Sequence, residues 1–144
     1  MNKYLIVIFL FILTLPVKAG GVGYINYDKV VANYQFAKNI LAQIETKNNE
    51  IKQYLMFKET EFNKLESAVQ KQKFEAVVQA ELRTKEQAFN DFRERKEEEV
   101  YNRIHAVSEK IRLEKGLDAI IDSRSVFSGG VDITDVLIQQ LNRN

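Results

Sequence analysis

Residues 24–115 open YINYDKVVANYQFAKNILAQIETKNNEIKQYLMFKETEF and close VYNRIHAVSEKIRLEK. These 92 positions hold neither glycine nor proline, although the chain has six glycines and one proline elsewhere. Glu, Lys, Gln, Ala and Leu dominate the stretch, and these residues lose little rotamer freedom in a helix. Helices of globular domains average about 11–12 residues, so an unpunctuated run of this length predicts one or two very long helices, exposed along much of their length.

The apolar pattern divides the run. Leu41, Asn48, Leu55, Phe62 and Val69 recur every seven residues, interleaved with Ala37, Ile44, Ile51, Lys58, Leu65 and Gln72; eight of these eleven positions are apolar. Interleaved rows of this kind form a heptad seam. Further on, Val78, Phe89, Val100 and Ile111 recur every eleven residues, with Leu82, Arg93 and Ile104 on a parallel row. That period corresponds to a nearly straight helix. Lys85 and Lys96 fall on the inner rows, so the stripe is diluted and the expected packing is loose. One continuous helix of about 75 residues would reach roughly 110 Å, whereas two of about 36–40 residues would each reach about 55–60 Å. The change of period and the polar run Gln70-Lys71-Gln72-Lys73 favour the second, an antiparallel hairpin over residues 37–111 with its tip near 70–76.

Outward from the arm, Gly21 to Tyr27 reads as a short strand, with Asp28 as N-cap of a short helical turn through Val30, Val31 and Tyr34. Gly116 is placed to end the second helix, behind Lys110, Arg112 and Lys115. Leu117 to Asp122 and Val126-Phe127 read as strands, Gly129-Gly130 as a turn, and Asp132 as the N-cap of a closing helix from Val136 to Leu141. A hairpin returns the chain to where it left. The prediction is therefore an α+β fold: a small β-rich body from residues 20–36 and 112–144, carrying a long antiparallel helical arm.

Residues 1–19 read as an export signal. Lys3 supplies the positive start, Tyr4 to Leu15 the apolar run, and Val17-Lys18-Ala19 a small residue before the cut. Cleavage after Ala19 places the mature chain beyond the cytoplasmic membrane. The chain has no cysteine, so disulfides play no part in its stability. Without Lys3 and Lys18 it carries 19 basic and 20 acidic side chains, a balance that argues against a nucleic-acid partner.

No residue pattern points to chemistry. Glu97-Glu98-Glu99 are consecutive on a helix and point apart. His105, the only histidine, has no cysteine or second histidine with which to bind a metal and no placed nucleophile with which to form a catalytic pair. Gly129-Gly130 suit a turn better than a phosphate cradle, and Asp132 and Asp135 suit helix capping. The expectation is a non-enzyme with no cofactor, no metal site and no catalytic residue.

The export signal, the opening Gly23-Tyr24-Ile25-Asn26-Tyr27-Asp28-Lys29-Val30-Val31, the helix end and strand Glu114 to Asp122, and above all Val126 to Asp135 resemble the Skp/OmpH family of periplasmic chaperones. The resemblance covers essentially the whole mature chain. It implies a homotrimer whose shared β-body, a trimeric barrel-like assembly, would draw here on Tyr24, Ile25, Leu117, Ile120, Ile121, Val126 and Phe127. Three hairpins would hang from that body around a cavity that holds unfolded outer-membrane β-barrel proteins without ATP. The near-neutral mature charge departs from the basic character common in that family.

On this reading Tyr54, Phe57, Phe74 and Phe92 are the candidate client-binding residues, against a hairpin-core role that Phe62 and Phe89 fit better. Lys71, Lys73, Arg83 and Lys85 are candidate basic residues of the tip, which could face acidic segments, the membrane surface or the outer-membrane assembly machinery; an ordinary solvated helix end is the alternative. A structural or adaptor coiled coil of the envelope with one specific partner is the competing function.

Overall fold

The computed structural model describes residues 20–143; the expected export signal, residues 1–19, lies outside the described residues. The body is built around three strands, β1 (Gly21–Ile25), β2 (Leu117–Asp122) and β3 (Val131–Asp132), in the order β2-β1-β3. Both neighbours run parallel to β1. Parallel strands need a crossover, and between β1 and β2 that crossover contains the entire arm.

Four α-helices complete the chain: α1 (Tyr27–Asn33), α2 (Gln35–Phe62), α3 (Ala68–Lys115) and α4 (Thr134–Arg143). The long unpunctuated run therefore folds as an out-and-back hairpin on a small α+β body, as its two periods predict. The split is unequal, 28 residues in α2 against 48 in α3, or about 42 Å against about 72 Å. The lower part of α3 packs into the body, while α1 occupies the corresponding stretch on the outgoing side.

The turn falls at residues 63–67, earlier than the expected 70–76. Lys64 and Leu65 donate their N–H groups to the carbonyls of Glu61 and Phe62, each at 3.1 Å, which tightens the end of α2. Ser67 is extended, with φ −86° and ψ 132°, and α3 starts directly after it. The polar run Gln70 to Lys73 forms the first turns of α3, because solvated side chains do not oppose a helix. Val69 and Gln72, which continue the heptad rows of α2 in sequence, thus belong to the opposite helix.

Two caps also differ from expectation. Asn26, not Asp28, caps α1: its Oδ1 accepts the Lys29 N–H at 2.9 Å. Helix α4 begins at Thr134, and the Asp132 carboxylate one position ahead of the cap accepts the Thr134 N–H at 2.9 Å and the Thr134 hydroxyl at 2.6 Å. Gly116 ends α3 in the left-handed conformation, φ 64°, where only glycine is unstrained.

Val126-Phe127 is not a strand. Asp122 accepts the Arg124 N–H at 2.8 Å and starts a 3₁₀ turn, Ser123–Ser125, that takes the chain out of the sheet. The connection then returns through Gly129 and Gly130, at φ 80° and 89°, to place β3 on the far side of β1.

The core lies where the body meets the root of the arm. Val30, Ile111, Ile133 and Leu137 are fully buried, joined by Ile25, Tyr34, Ala37, Ile40, Val100, Ile104, Leu117 and Leu141. Ala37, Ile40, Val100 and Ile104 lie outside the expected body boundaries of 36 and 112, so the body claims about one more turn of the outgoing helix and about three of the returning one. Gly23 admits this packing, since a Cβ there would stand 2.8 Å from the Leu117 Cδ1. The break between α1 and α2, at Tyr34, is held by Asn142 of α4. Its Oδ1 accepts the Gln35 N–H at 2.8 Å and its Nδ2 donates to the Asn33 carbonyl at 2.9 Å.

Candidate functional site

Beyond the body the arm changes character: none of residues 41–99 is buried. The half-buried positions of α2 include Ile44, Asn48, Ile51, Tyr54, Lys58 and Phe62, and those of α3 include Phe74, Val78, Leu82, Phe89, Phe92 and Lys96. A seam exists, but it is one side chain deep and partly polar.

Near the tip the seam is built around a cation. Lys58 Nζ lies 5.7, 5.8 and 5.5 Å from the ring centres of Tyr54, Phe57 and Phe74, and pairs with Glu61 at 2.9 Å. Phe62 and Phe74 meet across the hairpin with ring centres 6.3 Å apart. The Tyr54 hydroxyl donates to the Glu81 carboxylate of the opposite helix, and Lys85 Nζ sits 4.7 Å from the Tyr54 ring centre. Loss of hydration and then the Glu81 carboxylate push the Tyr54 pKa up to about 12. Aromatic rings attract cations through their faces, which is how lysines can occupy an inner row without a carboxylate for each.

Of the four candidate client-binding aromatics, Tyr54, Phe57 and Phe74 come together around Lys58, while Phe92 lies about 27 Å along α3 from Phe74, beside Ile51, Ala88 and Phe89. Tyr54, Phe74 and Phe92 are half-buried in the hairpin, and only Phe57, 60% exposed, faces solvent freely. Four further apolar side chains are exposed near it along the arm: Leu55, Met56 (68% exposed), Val69 and Val77. Met56 and Val77 lie off both counted rows, which was the available signal; Leu55 and Val69 lie on a row and were hidden by it.

The four candidate basic residues do not form one cluster. Lys71 lies over the Phe62 ring at 5.2 Å and Lys85 over Tyr54, while Lys73 and Arg83 are exposed. Around the observed turn, residues 58–75 carry four basic and four acidic side chains, so the tip has no net charge to steer a partner.

The body offers a second surface. Of the residues named for assembly, Ile25 and Leu117 are in the chain's own core and Ile120 packs against it. The register pairs Val22 with Ala119 and Tyr24 with Ile121, which places Val22, Tyr24 and Ile121 on the opposite, open face. Val126 and Phe127 complete a shallow concavity there. Val22, Ile121, Phe127 and Val131 are exposed, Phe127 completely; Val22 and Val131 were not anticipated. Among the described residues no group of His, Cys, Asp or Glu could hold a metal ion, and no helix is long and apolar enough to cross a membrane.

The fold is similar to that of a solved candidate outer membrane chaperone (OmpH-like) from Caulobacter crescentus CB15, with a TM-score of 0.61 over 90% of this chain and 88% of that one, at 14% sequence identity. No curated protein matches the chain in sequence. The family model for outer membrane protein (OmpH-like) matches residues 21–141, from the first residue of β1 to the last turn of α4. That span takes in the arm, the sheet and both open surfaces, and the chain belongs to the OmpH-like family.

Proposed function

We propose that this protein is an ATP-independent periplasmic holdase that binds unfolded outer-membrane β-barrel proteins, keeps them from aggregating in transit, and works as a homotrimer. The observation that carries the reading is the arm: none of residues 41–99 is fully buried, and the stretch presents Leu55, Met56, Phe57, Val69 and Val77 to solvent, dispersed over both helices. A holdase needs many weak, adaptable contacts, because a single tight pocket is selective and slow to release. Methionine and aromatic side chains suit such contacts. The family membership and the Caulobacter chaperone's shared fold support the same reading. The export signal read in residues 1–19 supports the compartment. No chemistry on the client is involved.

The test is aggregation of a urea-denatured outer-membrane barrel protein diluted into buffer, followed by light scattering. Suppression at a stoichiometric amount of trimer is expected. Unchanged aggregation at a several-fold excess overturns the reading. A pull-down from envelope extract then separates the holdase, which retains many barrel proteins, from an adaptor, which retains one partner.

A further inference from the structure

The exposed apolar side chains of the arm differ in chemistry. Leu55, Phe57, Val69 and Val77 are hydrocarbons, whereas Met56, the most exposed of the five at 68%, carries a thioether. The chain's two methionines are Met1 and Met56, and it has neither cysteine nor tryptophan. Among the described residues Met56 is therefore the single sulfur, and no thiol, second thioether or indole competes with it for an oxidant. On a helix the near neighbours of position 56 lie three and four residues away. Here they are Lys52, Gln53, Glu59 and Thr60, all exposed. Met56 is thus an apolar island on a polar face of α2, open to small solutes. The Thr60 hydroxyl donates to the Met56 carbonyl at 3.0 Å, so the backbone there is held independently of the thioether.

We propose that Met56 is an oxidation site at which a peroxide or hypochlorous acid weakens the arm's hold on unfolded clients. This regulates the client-binding surface of the proposed function and rests on that reading. The thioether sulfur gives up two electrons and takes one oxygen atom. With hydrogen peroxide the O–O bond breaks, an S–O bond forms and water leaves; with hypochlorous acid the net products are the sulfoxide, chloride and a proton. The sulfoxide is polar, and seating it against an apolar client segment without a hydrogen-bond donor carries a cost that the thioether does not. On this face of α2 the apolar character is then lost outright. The fold is spared, because Met56 takes no part in the core. The change is also reversible, since methionine sulfoxide reductases remove the oxygen from either epimer.

The test uses the full mature protein, treated with hydrogen peroxide and freed of it before the denatured barrel protein is added. Peptide mass spectrometry is expected to place one added oxygen on Met56, with helical circular dichroism unchanged. The amount of protein needed for half-protection against aggregation should rise about threefold or more, and the two sulfoxide reductases should return it. Protection by Met56→Leu should not change with peroxide, whatever its starting level. Met56→Gln, polar at a similar length, should show the oxidised wild-type level without peroxide. Complete sulfoxide formation with undiminished protection, a peroxide effect that persists in Met56→Leu, or protection lost together with helicity would each overturn the switch and leave the holdase reading standing. Untreated wild type that never protects removes the holdase reading and the switch with it, a result obtained before any oxidant is added.

Discussion

Asn142 shows how much of the body depends on single side chains. Breaking the backbone between α1 and α2 without glycine or proline leaves a donor at Gln35 and an acceptor at Asn33, and one carboxamide from α4 meets both, at 2.8 and 2.9 Å. Asn142→Ala should therefore cost about 1–2 kcal/mol in urea unfolding. Asn142→Asp, which keeps the acceptor and loses the donor, should fall between the variant and the wild type. None of this was legible in the sequence, because the partners are 107 and 109 residues apart. Gly116 was legible, since its role is local. Tyr54 gives a prediction in pH. Its pKa rises from the ordinary phenol value to about 12 in the folded chain, through lost hydration and the Glu81 carboxylate. The folded state then holds its proton more tightly than the unfolded one, so this contribution is complete below about pH 10 and is lost as pH rises toward 12. Tyr54→Phe should flatten the decline of Tm across that interval, and an identical decline in the variant would rule the group out.

At the scale of elements, α2 and α3 follow the seam the sequence predicts, with informative departures. The eleven-residue row puts Arg93 inward, but Phe92 is the half-buried residue and Arg93 faces outward with its guanidinium 5.9 Å from the Phe89 ring. A shallow seam tolerates such a rotation because no deep packing fixes the helix about its axis. The tip was misplaced for a related reason. Asn63 and Ser67 are weak signals beside the polar run at 70–73, and the register of the hairpin is set by cross-helix contacts such as Phe62 with Phe74 and Tyr54 with Glu81, which sequence spacing does not announce. The two halves of the arm should respond to mutation in opposite ways. Ile111→Ala, in the fully buried root, should cost about 2–5 kcal/mol. Met56→Ser with Phe57→Ser, on exposed positions, should change the urea midpoint little yet lower protection of an unfolded barrel protein measurably. Equal protection by the double variant would move client binding off this surface.

At the scale of the molecule, the fold separates a region that spends its apolar residues on its own core from one that leaves them in reach of solvent. The sequence showed this division through its flanking strands and its diluted inner rows. It placed the border too close to the chain ends, because Ala37, Ile40, Val100 and Ile104 read as ordinary seam residues until α1 and α4 were seen to pack around them. It also could not tell which apolar body residues serve the chain and which remain outside, since Leu117 and Ile121 are equivalent in a strand until register assigns them to opposite faces. The mature protein should sediment as a trimer at micromolar concentration, with a Tm that rises with concentration, as linkage of folding to association requires.

Strand β1 lies in the middle of the sheet yet begins at residue 21, and its two neighbours begin at residues 117 and 131. A chain delivered from its N-terminus must therefore wait with its central strand unpaired until nearly all of it has emerged. Only the hairpin, whose contacts are closer in sequence, can form early. Closure of the body is the last event, and the late-arriving α4 completes it. A chain stopped before Leu117 should show helical circular dichroism without a cooperative melt. In the full-length chain, folding should be slow and set by this long-range closure.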